Sequence, residues 1–177
     1  MALKWIILLA VLPFWFLQNI LHELAHGLTL WLGWRWKFSI WPFPSKKLGM
    51  WTFSHVVYSP TSDSTDPSNK GWGLVSGAPA LMNLVFLLTG SALATCLWPT
   101  YIIAPFCAMF AFFNLIDFTV NAASIFRREP NQSDIWRVQS YTKTDTYTLR
   151  WTVALSLLLS WFLMAIPAYL FWMVKPW

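Results

Sequence analysis

Five consecutive residues carry the chemistry that is easiest to read: His22-Glu23-Leu24-Ala25-His26. On a helix, residues four apart lie one turn apart on one face, so both imidazoles can reach one cation. Glu23, beside them, can reach a water held by that cation, take a proton from it and return the proton to a leaving amine. Imidazole and carboxylate ligands suit zinc (Zn2+), which needs no redox partner. The chain has three histidines, and two of them are in this motif. Histidine and glutamate are costly in an apolar segment, and such groups mark function. Asn19 and Thr29 extend the polar face of the same segment. Catalytic zinc takes three protein ligands and one water. The candidates for the third are Asp134, Asp117 and His55.

The elements that must position these groups are read from composition. Hydrophobic residues make up 57% of the 177 and charged residues 11%, against about 25% charged in an average soluble chain. A soluble surface needs more charge than this, so lipid is the expected solvent. The expected architecture is an all-α polytopic membrane protein forming one domain over residues 1–177. Four transmembrane helices are expected at about 3–32, 74–97, 101–126 and 149–174, each near or above the roughly 20 residues that a span requires. The first apolar run exceeds the h-region of a signal peptide and has no small-residue cleavage site, so it is expected to be retained. Its length also calls for a tilt, a bend near Pro13 or a cytoplasmic extension.

Between the first two spans, Trp34 to Ile40 alternates apolar with polar residues, and Trp51 to Tyr58 is rich in β-formers. With Pro42, Pro44 and the Ser45–Lys47 segment as the turn, a small cytoplasmic β-hairpin is expected beside the motif. Cys96 and Cys107 are expected to be buried apolar residues.

Charge gives an orientation. Arg35, Lys37, Lys46, Lys47 and Lys70 follow the first span, and Arg127, Arg128, Arg137, Lys143 and Arg150 follow the third. The remaining basic residues are Lys4 and Lys175, near the termini. Basic flanks face the cytoplasm, so both termini are expected outside it, and a bacterial inner membrane fits. The basic residues flank spans and form no groove, so nucleic acid is not an expected partner. The 14 tryptophans, among them Trp31, Trp34, Trp36, Trp98 and Trp172, suit the membrane interface.

Beyond the motif, three segments resemble the site-2 protease family of intramembrane zinc metalloproteases. His22-Glu23-Leu24-Ala25-His26 matches its first element. Ser76-Gly77-Ala78-Pro79-Ala80-Leu81-Met82-Asn83-Leu84 resembles its second, and Phe113-Asn114-Leu115-Ile116 with Ser133-Asp134-Ile135-Trp136-Arg137 resembles its third. The resemblance implies a zinc-dependent endopeptidase acting on a membrane protein or peptide, with Glu23 as the base and His22, His26 and an Asp as ligands. Asp134 is preferred as that Asp, because a ligand that starts a helix after a break can fold back to the metal. Asp117 stays open as the alternative, since no Pro follows Ile116 and no Gly follows Asp134. Asn83 would bind the backbone of the substrate, or else make a helix–helix contact. Two rival readings stand beside this one: a catalytically inactive, chaperone-like binding relative, and a metal transporter, which the scarcity of polar ligands in the other spans disfavours. The sequence specifies no oligomeric state.

Overall fold

The computed structural model describes residues 2–47, 50–52, 54–127 and 133–173. It is mainly helical. The elements are α1 (Ala2–Trp34), β1 (Lys37–Trp41), β2 (Ser45–Lys47), β3 (Met50–Thr52), β4 (His55–Ser59), α2 (Asn69–Leu97), α3 (Ala104–Ala123), α4 (Asp134–Thr142) and α5 (Thr146–Met173). A 3-10 turn, Ser124–Phe126, extends α3. Among the described residues, three helical stretches are long and apolar enough to cross a membrane: α2, α3 with its 3-10 turn, and α5. They correspond to the second, third and fourth expected spans. The first expected span is the single helix α1, which runs through Pro13 and is not one of the three.

Local chemistry sets the helix limits. Ser68 caps α2 by accepting the Gly71 N–H at 3.2 Å, one of the backbone donors left unpaired at any helix start. Asp145 does the same for α5, accepting the Thr148 N–H at 2.8 Å. At the C-terminal ends of α1 and α4, Arg35 (φ 59°) and Lys143 (φ 55°) take the left-handed conformation that stops a helix. The long segment between α1 and α2 forms two antiparallel pairs, one inside the other: β1 with β4, and β2 with β3. The expected hairpin is present in β1–β4, and the Ser45–Lys47 segment, expected as its turn, is itself a strand.

Two apolar clusters hold the helices together. Leu87 and Ala94 of α2 meet Ala108, Ala111 and Leu115 of α3 and Met164 of α5. Nearer the other end, Phe118, Ala122 and Ile125 meet Trp136 of α4 and Val153 of α5. Small residues allow this approach; an added Cβ at Gly90 would lie 3.0 Å from the Ala111 Cβ and 3.1 Å from the Cys107 carbonyl oxygen. The outer faces stay apolar, with Leu155, Leu158, Leu159 and Phe162 exposed along α5, as lipid contact requires. Cys96 is exposed and Cys107 half-buried; both are free thiols.

Candidate metal centre

α1 places His22 and His26 one turn apart on the face that packs against α2 and α3, with ring centroids 5.2 Å apart. α4 brings Asp134 to them as its first residue. The break before it is closed by Ser133, whose hydroxyl lies 2.6 Å from that of Ser124, and by Trp136, whose indole N–H donates to the Ser124 carbonyl at 3.0 Å. Asp134 Oδ2 is 3.1 Å from His22 Nε2 and 3.3 Å from His26 Nε2. One ligand atom from each of the three residues falls within 4.8 Å of the other two.

The other ring nitrogens are already committed. His26 Nδ1 lies 2.8 Å from the Val75 carbonyl oxygen, which can only accept, so Nδ1 carries the proton. His22 Nδ1 lies 2.7 Å from Asp117 Oδ2, where the same tautomer donates to the carboxylate. In neutral imidazoles both Nε2 lone pairs then face the Asp134 carboxylate. Lone pairs facing an anion need a proton or a cation between them, and this convergence fits a bound metal. Burial raises the pKa of Asp134, but with protons on both Nε2 atoms its contacts with His22 and His26 outweigh that and hold the carboxyl below the ordinary carboxylate range. A cation in place of those protons would keep it ionised, as a ligand must be.

Asp117 does not join the three. It sits behind His22 as the carboxylate that orients the ring, a role such outer partners take at many metal sites. Its own oxygens are held by three amides. Asn83 Nδ2 donates at 2.6 Å, Asn121 Nδ2 at 3.1 Å and Gln18 Nε2 at the longer 3.5 Å. Gln18 also donates to Asn83 Oδ1 at 2.7 Å. Asn83 is 1% exposed. Its amide donates to Asp117 across the helix interface, the helix–helix contact expected as the alternative.

Glu23, the next residue round α1 from His22, reaches toward the strands. The Ser54 hydroxyl reaches its Oε1 at 3.5 Å and the Asn19 carbonyl at 3.3 Å. Asn19 and Thr29 donate to carbonyls of their own helix, Trp15 and Ala25, and contribute nothing to the centre. His55 faces Ser45 at 3.2 Å, away from it. The sequence reading missed Gln18 and Asn121. Each lies four residues from a member of the centre, Gln18 before His22 and Asn121 after Asp117, so helical spacing alone could have found them. It also missed Val75, which acts through its backbone and leaves no side-chain signal. No protein-family model, curated protein or solved structure matches this chain.

Proposed function

We propose that the chain is a zinc-dependent endopeptidase of the membrane, cleaving peptide bonds of membrane-associated protein substrates. One observation carries the reading: both histidine Nε2 atoms converge on Asp134 Oδ2 while both Nδ1 atoms are anchored elsewhere. The separations of 3.1 and 3.3 Å bring the donors close enough for one ion to be reached by all three. His22, His26 and Asp134 would hold the ion, leaving a fourth position for water or substrate. Bound zinc would supply Lewis acidity toward the scissile carbonyl and make water acidic at neutral pH. Glu23 is the general base, next to His22 in sequence and free of any ion pair among the described residues. Ser54 steadies its carboxylate from the strand side. Asp117 and the Val75 carbonyl fix the tautomers of the two rings, so that neither has to reorient during the reaction. A substrate helix would unwind beside β1–β4 to present an extended bond.

In this reading α1 is a fourth span. The C-terminal end of α1, the N-terminal end of α2 and α4 gather at one end of the bundle: Gly71 lies against the Trp34 ring and Gly73 against the Thr142 side chain. The basic segments adjoin that end, which supports a cytoplasmic placement for it and for the β strands, with both termini on the opposite face. A bacterial inner membrane fits.

The test compares protein termini in membranes of cells producing the wild type or Glu23→Gln. Fragments that accumulate only with the wild type are expected. Identical sets from both, with zinc bound in both, would overturn the endopeptidase reading and leave the binding-protein reading in its place.

A further inference from the structure

Tyr58 stands on the strand that covers Glu23. Two points tie β1–β4 to α1. Ser54, just before β4, bonds to the Asn19 carbonyl and the Glu23 carboxylate. Farther along, Phe38 of β1 packs so closely over Gly27 that no Cβ fits there. Tyr58 is the cross-strand partner of Phe38, and directly opposed residues project from the same face of a sheet. Tyr58 therefore points with Phe38 toward α1, alongside the Glu23–Gly27 turn. The phenol also feels the charges of Glu23 on α1 and of Asp134 and Arg137 on α4. Tyr58 thus faces α1 and stands within electrostatic range of both helices that carry the site residues.

The phenol is half-buried, yet its hydroxyl has no hydrogen-bond partner among the described residues, and its oxygen is not sealed from solvent. Burial, reinforced by the two carboxylates, raises its pKa above the ordinary tyrosine value. It keeps its proton at neutral pH and is a neutral donor alongside the Glu23–Gly27 turn.

We propose that Tyr58 is a further catalytic residue of this site, whose hydroxyl donates a hydrogen bond to the oxyanion formed when water adds to the scissile carbonyl. The inference rests on the endopeptidase reading. Glu23 takes one proton from the water, the water oxygen bonds to the carbonyl carbon, and the C=O π pair moves onto oxygen, where the Tyr58 O–H meets it without transferring its proton. On collapse the pair re-forms C=O, the C–N bond breaks, and the nitrogen takes the proton from Glu23, giving a carboxylic acid that ionises and an amine. A donor aimed at charge that develops only in the transition state lowers the barrier directly.

The test uses the full-length, zinc-loaded protein in detergent and a fluorescent phosphinic tetrapeptide of Ala and Leu, whose tetrahedral phosphorus oxygens stand for the oxyanion. Acetohydroxamate, a planar ligand, serves as the control. The expected result is phosphinate binding to the wild type that weakens roughly ten- to a hundredfold in Tyr58→Phe, with zinc content and hydroxamate affinity unchanged. Equal phosphinate affinity in the two proteins would overturn the Tyr58 assignment alone. A wild type that holds zinc but binds no phosphinate would overturn the endopeptidase reading, and this inference with it. Should Tyr58→Phe not purify loaded, 3,5-difluorotyrosine at position 58 keeps the hydroxyl and alters its acidity. A changed phosphinate affinity at constant zinc then supports the role, and an unchanged one overturns it.

Discussion

Asp117 Oδ2 lies 2.7 Å from His22 Nδ1, on the side of the ring away from Asp134, which meets Nε2 at 3.1 Å. The two aspartates therefore act on one imidazole from opposite edges, and their loss has different consequences. On the proposed reading Asp134→Ala removes a ligand, and zinc stoichiometry is expected to fall from about one per chain toward zero. Asp117→Asn leaves all three ligands in place and removes the negative charge that orients the ring. Zinc is then still bound at saturation, with affinity lower by about 10- to 100-fold. Metal analysis of purified protein, with competition against a chelator of known affinity, separates the two. Zinc lost completely in Asp117→Asn and kept in Asp134→Ala would reverse the assignment.

Asn83 makes the same point from the next layer. It donates to Asp117 at 2.6 Å and accepts from Gln18 at 2.7 Å, with almost no surface exposed. Asn83→Leu strips a donor from a buried carboxylate and leaves the Gln18 amide without its closest acceptor. A loss of about 1–3 kcal/mol is expected for each buried polar group left unpaired, read as a lower unfolding midpoint in detergent, together with weaker zinc binding. A substrate-contact role predicts something else: unchanged stability and zinc affinity, with a raised KM alone.

The metal motif was readable because its logic is local. A spacing of four on a helix puts His22 and His26 together whatever else the chain does, and the apolar runs announce helices without reference to partners. The role of Asp134 depended on where the start of α4 sits relative to His22 and His26, which no local rule specifies. Its position as the first residue of α4 was legible from Ser133-Asp134. Its distance from the histidines was not. Asp117 was ambiguous for a related reason: sequence shows an acid inside an apolar helix, which needs a partner, and cannot say which face of a ring the partner presents. Asn83 could be read either as a substrate contact or as a helix–helix contact, and only tertiary packing reveals that Gln18 and Asp117 claim its amide. The nested strands were half legible. Alternation marks Trp34 to Ile40 and β-formers mark Trp51 to Tyr58, overlapping the strands Lys37–Trp41 and His55–Ser59, while Ser45–Lys47 carries prolines just before it and reads as a turn.

The relation between Gly27 and Phe38 tests whether the strands matter to the site. A Cβ at Gly27 would overlap the Phe38 ring, so Gly27→Ala has to push β1–β4 away from α1, at a cost of about 1–3 kcal/mol. Among the described residues no hydrogen bond or ion pair joins His22, His26 or Asp134 to the strands, so zinc binding is expected to persist. Cleavage is expected to fall, because Ser54 and Tyr58 move away from Glu23. Gly33→Ala is the matched control: nothing lies within 4 Å of its added Cβ, and alanine favours the helix by up to about 1 kcal/mol over glycine. Its stability should hold or rise, with cleavage intact. Equal activity in Gly27→Ala and Gly33→Ala would detach the strands from catalysis.

The orientation can be checked independently of the chemistry. Asp63 lies in the loop before α2, and Lys143 terminates α4; both adjoin the end of the bundle where the basic residues collect. Four spans put the two positions on the same, cytoplasmic, side. Three spans starting at α2 put them on one side as well, but leave α1 off the membrane and its N-terminal half open to water. Single cysteines at Leu9, Asp63 and Lys143, in a chain with Cys96 and Cys107 replaced by Ala, distinguish the cases. In intact cells a membrane-impermeant maleimide should spare Asp63→Cys and Lys143→Cys and label them only after lysis. Leu9→Cys, 75% exposed on an apolar face of α1, should stay unlabelled in both conditions, because lipid covers it. Labelling at Leu9→Cys after lysis would show that α1 is wet there and that the helix holding His22 and His26 lies outside the bilayer.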